Sequence, residues 1–565
     1  MMKKITSVLL LTITCFFIGY TTIAQTISLV TQSIGPSDEN IKSITTDSDG
    51  NIFYSGAFSD TATISGIVVP PYFDLTPPSF VYTYLARHDN SGGANWAIPI
   101  GGPGLVFVDV DDMKADADGN LICIVKAAIM SDTLHIGNFL SIPASGTPST
   151  SVMIKIDAQG NLLWSKIFTG IFNGLRIAAD SQGDFYLCGW HTNSFVIDTV
   201  TINPSNGSQG NFIAKANADG NFLWGKSFSS NTAMLQFLNL TINEQDELFM
   251  SGGWEGDTLF IDHLYAVNPL PGGGNVDRYI AKFDSEGNVV WLQREGSADS
   301  QWHADLEATS DGGVMSLSNV VDGTSVDIND GTTTVQGPVS LFTRYNSQGN
   351  LSWHQTIMSG DDVSPRSLVG DGTNYYVVYN FLGPQITLGG TTITNMGGSN
   401  GTHDLVIAKL DSSANIVSTT HIGSNEADFA TFLMYTANHE LLIGGTTKGS
   451  ELQLGSDIVS NAGFLTSEVF IAKISSPNAI ERPPIMNVSV YPNPANNLLN
   501  IKLDLIKNGN IQVNVLNVLG QNVMSQSFNG TNEKLSLQVD ALKPAVYLLN
   551  IMDGNTRYSG RFVKE

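Results

Sequence analysis

The sequence predicts an all-β protein, a seven-bladed β-propeller followed by a small β-sandwich. The first observation is a pair of hairpins that recurs along the chain, with equivalent turn residues 61 to 69 positions apart. The second is composition, because 56 glycines and only 14% charged residues suit many short strands joined by tight turns. Seven repeats of two hairpins each indicate seven four-stranded blades arranged in a ring.

The first 24 residues have the features of a secretory signal peptide. Lys3 and Lys4 precede an apolar run over residues 5–18, and Thr22 and Ala24 form a cleavage site. No later run approaches the ~20 apolar residues that a membrane-spanning helix needs. We therefore expect an exported chain without a transmembrane segment, whose propeller occupies residues 25–476.

Each repeat joins a hairpin such as LRIAADSQGDFYLCGW (175–190) to a second such as FIAKANADGNFLWGKSF (212–228). The recurring turn D-x-x-G-N has a local explanation, because Asp or Asn bonds the following backbone and Gly takes a positive φ. An EF-hand calcium loop with the same opening would need Glu at its twelfth position, where Phe58 and Ala127 stand. We interpret these turns as structural.

Two kinds of side chain recur in the second hairpin. Positions repeated around a ring suit a scaffold better than a site for one ligand, so we expect tryptophans to pack between blades and bases to pair with nearby carboxylates or turn carbonyls. The tryptophans are Trp96, Trp164, Trp224, Trp291 and Trp353, and the bases are Arg87, Lys155, Lys215, Lys282, Arg344, Lys409 and Lys473. The tryptophan pattern resembles the propeller repeats of quinoprotein dehydrogenases.

The two ends of the propeller region complement each other. The seventh repeat stops after FIAKIS (470–475) and lacks its outermost strand. The mature chain begins with ISLVTQSIG (27–35), which matches the outermost strand LLWSKIFTG (162–170). We predict that this N-terminal strand completes the last blade and closes the ring, because it covers an edge that would otherwise be unpaired.

The C-terminal region forms a separate domain. Residues 477–487 contain three prolines and no periodic pattern, which indicates a linker. Residues 488–565 include strictly alternating segments such as IQVNV (511–515), which predict a small sandwich of the Ig-like kind.

This domain resembles the type A C-terminal sorting domain of the type IX secretion system. The resemblance rests on VYPNPANNLLNI (490–501), VLNVLGQNV (515–523) and LKPAVYLLNI (542–551), with Ala545 where the family favours Gly. It implies a Bacteroidetes-type outer membrane, Sec export, contact with the type IX machinery, and a protein that is secreted or held on the cell surface. The motif residues are Tyr491, Pro492, Asn493, Pro494, Gly520, Leu542 and Tyr547. The rest of the mature chain resembles the β-propeller repeat proteins common in such bacteria.

The sequence restricts the function without identifying a ligand. A net charge of −25 argues against a nucleic-acid partner. We favour a non-catalytic secreted or cell-surface propeller that binds a glycan or a protein. The alternatives are a polysaccharide-active hydrolase or lyase with its site at the propeller axis, which inner-strand carboxylates would favour, and a structural component of the surface layer.

The binding site is expected where the repeats differ. The junctions between consecutive blades emerge on one face of the ring, and five of the seven carry acids. Such an acidic rim would take a cationic partner, or calcium that bridges to a glycan, although solubility alone would also explain it. We expect no cofactor, with calcium at this rim as the one alternative. The candidate binding residues are Asp109, Asp111, Asp112, Tyr72, Phe73, Trp302 and His303.

Overall fold

The fold is seen in a computed structural model of the 565-residue chain. The described residues are 26–34, 39–71, 82–103, 105–129, 133–143, 150–205, 209–230, 233–268, 276–297, 302–320, 325–328, 333–358, 363–398, 401–454, 457–461, 466–475, 485–502, 510–517, 522–529, 534–553 and 556–565. The predicted signal peptide and residues 477–484 of the predicted linker lie outside them. Every regular element among these residues is a β-strand, which confirms the all-β prediction. None of the described segments is a helix long and apolar enough to cross a membrane.

The chain divides into two compact units, one of which is Ala24–Ser476. This unit repeats one pattern, two strands, a short hairpin and two further strands, after an initial strand β1 (Thr26–Ile34). The first repeat contains β2 (Asn40–Thr46), β3 (Ile52–Phe58), β4 (Ala62–Ile64), β5 (Ile67–Val69), β6 (Tyr82–His88) and β7 (Ala94–Gly101). The second contains β8 (Leu105–Ala115), β9 (Leu121–Ile129), β10 (Thr133–Ile136), β11 (Leu140–Pro143), β12 (Thr150–Ile156) and β13 (Leu162–Thr169). The third contains β14 (Phe172–Ala179), β15 (Phe185–Thr192), β16 (Phe195–Ile197), β17 (Val200–Ile202), β18 (Gln209–Ala216) and β19 (Phe222–Ser230).

The remaining four repeats follow the same order. The fourth contains β20 (Ala233–Ile242), β21 (Leu248–Glu255), β22 (Thr258–Ile261), β23 (Leu264–Val267), β24 (Val276–Phe283) and β25 (Val289–Ser297). The fifth contains β26 (Trp302–Ala308), β27 (Val314–Val320), β28 (Ser325–Ile328), β29 (Thr333–Gln336), β30 (Val339–Tyr345) and β31 (Leu351–Met358). The sixth contains β32 (Val363–Gly370), β33 (Tyr375–Phe381), β34 (Gln385–Leu388), β35 (Thr391–Thr394), β36 (Asp404–Leu410) and β37 (Ile416–Ile422). The seventh contains β38 (Asp428–Tyr435), β39 (Leu441–Thr447), β40 (Glu451–Leu454), β41 (Asp457–Ser460) and β42 (Glu468–Ser475).

The four main strands of each repeat pair antiparallel in chain order, from β2-β3-β6-β7 to β32-β33-β36-β37. The seventh sheet is β38-β39-β42-β1, which includes the N-terminal strand. The first strand of each sheet contacts the first strand of the next, and β38 contacts β2. These contacts close the ring and make the first strands innermost, which is the arrangement of a β-propeller.

The pairing of β1 confirms the predicted ring closure. Thr26 lies opposite Ser475, and Ser33 lies opposite Val469, so β1 forms the outer strand of the last sheet. The Lys473 Nζ donates a hydrogen bond of 2.8 Å to the Asn90 carbonyl in the first sheet. An internal interface has the same contact, in which Lys155 donates to Ala218 at 3.1 Å. The closing interface therefore repeats the contacts of an internal one.

The tryptophans pack between neighbouring sheets, as predicted. The indole Nε1 of Trp96 donates to the Ala158 carbonyl at 3.1 Å, and that of Trp164 donates to the Ala218 carbonyl at 3.3 Å, both in the next sheet. The glycine of the D-x-x-G-N turn lies against the same ring. A Cβ added to Gly220 would come within 2.9 Å of Trp164, and the φ of Gly220 is +80°. Glycine is required at this position because the backbone φ is positive and because the indole leaves no room for a side chain.

The recurring bases pair mainly with carboxylates of the turn between the first two strands of their own sheet. Lys155 Nζ, for example, lies 2.8 Å from Asp116. Lys409 differs, because its Nζ lies 5.6 Å from the ring centroid of Tyr376. The pairs are Arg87–Asp47, Lys155–Asp116, Lys215–Asp180, Lys282–Glu247, Arg344–Asp311 and Lys473–Glu440. This confirms that the bases belong to the scaffold.

The short hairpins extend a neighbouring sheet, which the sequence did not predict. The hairpin strands β4, β10, β22 and β28 each bond the outermost strand of the preceding sheet, which is β1, β7, β19 and β25 respectively. Covering an outer strand in this way leaves less unpaired edge exposed.

The second unit includes Pro477–Glu565. Its strands are β43 (Ile485–Asn487), β44 (Ser489–Tyr491), β45 (Leu498–Lys502), β46 (Asn510–Leu516), β47 (Asn522–Asn529), β48 (Lys534–Gln538), β49 (Ala545–Asp553) and β50 (Thr556–Lys564). They form a five-stranded sheet, β43-β50-β49-β46-β47, and a three-stranded sheet, β44-β45-β48. Both sheets contribute to one core, for example Ile501 and Leu537 from one and Val513 and Ile551 from the other. Two sheets around one core form a sandwich.

Candidate functional site

Each of the seven innermost strands contains a β-bulge. A bulge adds a residue that has no direct partner on the neighbouring strand and turns its side chain in a new direction. The added residue is Lys42 in β2, Arg366 in β32 and Thr431 in β38. The bulge position is therefore not conserved in type from one repeat to the next. It holds a cation in two of these neighbouring sheets and a hydroxyl in the third.

The three bulge residues line one cavity, which we call the junction cavity. It lies where the first, sixth and seventh sheets meet, on the face where the chain passes from one sheet to the next. Its volume is about 830 Å³, and its wall also includes Glu39 and Phe429. A volume of this size is within the ~300–1,000 Å³ range of small-ligand sites.

Glu39 is the most unusual group in the wall. Its side chain is 3% exposed, and neither carboxyl oxygen makes a hydrogen bond of normal geometry in the described part of the chain. Burial raises the pKa of Glu39 to about 8; the nearby Ser33 hydroxyl opposes the rise, and Glu468 adds to it. Glu39 is therefore mostly protonated and neutral at pH 7.

The two cations of the cavity differ in their partners. The Lys42 Nζ lies 3.0 Å from Asp109, and both side chains are about one-third exposed. Arg366 is half-buried and has no ion pair or hydrogen bond within the described residues, and its Nε is fully buried. Burial lowers the pKa of Arg366.

The predicted acidic residues of β8 have three different environments. Asp109 forms the ion pair with Lys42. Asp111 is half-buried and occupies one of the two bulges of its strand, and burial of its carboxylate raises its pKa. Asp112 accepts a hydrogen bond of 2.9 Å from the Ile177 amide in the next sheet. Asp112 thus holds two inner strands together, so only Asp109 is connected to the junction cavity.

The other predicted binding residues are described in part or not at all. Tyr72 and Phe73 lie outside the described residues. Trp302 and His303 are in β26, and His303 occupies the bulge of that strand, but their side chains lie outside the described part. Within that part, no three His, Cys, Asp or Glu side chains form a group that could hold a metal ion. Calcium at the rim stays a prediction.

Sequence reasoning missed a buried charge network between the fourth and fifth sheets. Arg278 lies 3.2 Å from Glu295, which is completely buried. The Thr343 and Tyr345 hydroxyls donate to Glu295 Oε1 at 2.5 and 3.1 Å. In the first repeat, the residue equivalent to Glu295 is Ile100. A charged residue at a repeat position that is apolar elsewhere is the sequence feature that could have revealed the network. Arg278, Thr343 and Tyr345 each bond the Glu295 carboxylate, which indicates a structural role.

The sorting-motif residues hold the C-terminal unit together. The Tyr547 hydroxyl donates to the Lys543 carbonyl at 2.9 Å, and its ring stacks on Phe562. Asn493 Oδ1 accepts from the Val563 amide at 2.8 Å. Pro492, Pro494 and Leu542 lie among the described residues, Tyr491 is 43% exposed, and Gly520 lies outside the described part.

Comparison with known families confirms the sorting domain. Residues 489–565 match the model of the "Secretion system C-terminal sorting domain". The class is therefore an exported all-β protein with a propeller and a type IX sorting domain. This domain directs the chain to the cell surface or the medium. No curated protein matches the chain.

Several solved structures show a low similarity to this chain. The hemagglutinin-neuraminidase ectodomain of parainfluenza virus 5 has 9% identity and a TM-score of 0.34, over 80% of this chain and 85% of that one. A PL25 ulvan lyase has 12% identity and a TM-score of 0.38, over 76% and 96%. The GH43 endo-arabinanase from Bacillus licheniformis has 11% identity and a TM-score of 0.25, over 55% and 96%. Similarity at this level carries no argument about function.

Proposed function

We propose that this protein is an exported binding protein whose propeller takes a glycan in the junction cavity. The observation that carries the proposal is that Lys42, Arg366 and Thr431, three bulge residues of neighbouring inner strands, line one cavity of about 830 Å³. Bulges occur preferentially beside functional sites, where they redirect side chains. A concave site suits a sugar better than it suits the flat surface of a folded protein.

A cavity-filling variant tests this proposal. The full-length protein and its Thr431→Trp variant would be compared on a panel of neutral and acidic oligosaccharides. We expect the wild type to retain at least one of them and the variant to lose it, because the indole occupies the cavity. Leu223→Trp is the matched control, since Leu223 is 54% exposed on the outer strand β19 and away from the cavity. Equal binding by the wild type and Thr431→Trp would refute the site.

Glu39 supports a second candidate, a polysaccharide-active enzyme. A general acid must hold a proton at the working pH, and burial gives Glu39 a pKa of about 8 at the cavity wall. Release of new sugar ends from an oligosaccharide by the wild type, lost in Glu39→Gln, would favour the enzyme. Binding that Glu39→Gln retains, with no product from either protein, would favour the binding protein.

A further inference from the structure

Arg366 is half-buried and differs from the buried arginines of this chain, which form ion pairs. Arg278 lies 3.2 Å from Glu295, and Arg294 forms an ion pair with Asp277. Arg366 has no such partner within the described residues, although the chain carries 52 acids and a net charge of −25. A half-buried guanidinium without a partner loses hydration and gains no compensating contact. Its bulge points it into the cavity wall, where a ligand can supply the missing anion.

The neighbouring groups do not oppose an anion. Glu39 is mostly neutral at pH 7, so the one carboxyl of the cavity wall does not repel negative charge. A protonated carboxyl can also donate a hydrogen bond. Lys42 adds a second cation, which is shared with Asp109 at 3.0 Å. The cavity therefore carries positive charge within an acidic protein.

The remaining wall favours a saccharide as the carrier of the anion. Phe429 lines the cavity, and its ring packs against His403 with the centroids 4.5 Å apart. The apolar face of a sugar ring can lie on such a surface while its charged group reaches the guanidinium. Arg matches carboxylate and similar planar or trigonal oxyanions through two parallel hydrogen bonds.

We infer that the junction cavity binds an acidic saccharide and that Arg366 holds the carboxylate or sulfate group of that ligand. The inference rests on the proposed function and specifies the ligand. Thr431 and Phe429 then contact the neutral part of the sugar, and Glu39 donates to an oxygen of the ligand.

Calorimetric titration of the full-length protein tests this assignment. The probes are trigalacturonic acid, its carboxyl-reduced neutral trimer, a sulfated galactose trimer and a hexapeptide of Asp and Glu. We expect an acidic trimer to bind at least tenfold more tightly than the neutral one. Comparison of trigalacturonic acid with the sulfated trimer identifies whether a carboxylate or a sulfate is recognised. Loss of hydrogen bonds to a charged group predicts that Arg366→Gln weakens this binding about 10- to 100-fold.

Two further variants separate the guanidinium from general charge. Arg366→Lys keeps the positive charge but cannot form the bidentate hydrogen bonds of a guanidinium, so it should bind the acidic trimer with intermediate affinity. Lys226→Gln removes a charge on the outer strand β19, where Lys226 bonds Asn288, and should bind like the wild type. Thermal melting of each variant checks that the fold is intact.

Several results would overturn the inference. They are equal affinity for acidic and neutral trimers, no loss in Arg366→Gln, tighter binding of the hexapeptide, or no binding of either acidic trimer. A neutral trimer that binds the wild type and Arg366→Gln but not Thr431→Trp would overturn the inference and leave the proposed function standing. A sugar that binds Thr431→Trp like the wild type would overturn the proposed function itself.

Discussion

Replacing Gly220 by alanine tests the contact between turn and tryptophan that recurs around the ring. The φ of Gly220 is +80°, and an added Cβ would lie 2.9 Å from the Trp164 indole. The left-handed backbone costs an alanine about 1–2 kcal/mol. Crowding of a packed ring costs about 1–3 kcal/mol more. We therefore expect Gly220→Ala to lower the free energy of unfolding by about 2–5 kcal/mol.

Gly372 provides the matched control for this substitution. Its φ is +82°, and an added Cβ would meet no atom within 4 Å. Gly372→Ala should therefore lower the free energy of unfolding only by the cost of the left-handed backbone, about 1–2 kcal/mol. Urea unfolding followed by circular dichroism gives the two midpoints, which are safer to compare than extrapolated free energies in a protein of several sheets. Equal midpoints for the two variants would refute the role given to Trp164.

Three further predictions follow from the ring and its buried groups. Deleting residues 26–34 should lower the melting temperature and produce oligomers in size-exclusion chromatography, because the edge of β42 becomes exposed; an unchanged monomer would contradict ring closure by β1. Burial raises the pKa of Glu39 from 4.5 to about 8, so its share of the stability is full below pH 4.5 and is lost as the pH rises through about 8. Melting temperatures at pH 5 and pH 9 should therefore differ less in Glu39→Gln than in the wild type, and an identical difference would disprove the burial argument. Glu295→Leu should cost about 3–5 kcal/mol because it leaves Arg278 buried and unpaired, whereas Arg278→Met with Glu295→Leu should cost much less; equal urea midpoints for the single and double variants would argue against the pair.

The scaffold could be predicted because the repeat samples each position seven times. A tryptophan or base that returns at one position in successive units is distinguished from chance by its recurrence, and its role is then the same in most units. Trp164 and Lys155 were interpreted correctly on this ground. The missing strand of the seventh repeat was equally visible, since six complete copies define what the last one lacks.

The junction cavity could not be predicted in the same way. A bulge inserts one residue and reverses the alternation of inward and outward side chains beyond it, so periodicity assigns Lys42 and Arg366 to the wrong face. One local signal existed, because Pro365 stands inside a strand where proline usually marks a bulge. Counting acids at the junctions drew attention instead to Asp112, whose carboxylate bonds the backbone of the next sheet.

Closure of the ring by β1 sets the order in which the propeller can fold. The Leu29 amide bonds the Asp457 carboxylate across a sequence separation of 428 residues. Strand β1 therefore lacks its main partner, β42, until almost the whole propeller has been made. Contacts between such distant segments form slowly, because a long loop must close before they contribute. We therefore expect ring closure to be a late step in the folding of this exported chain.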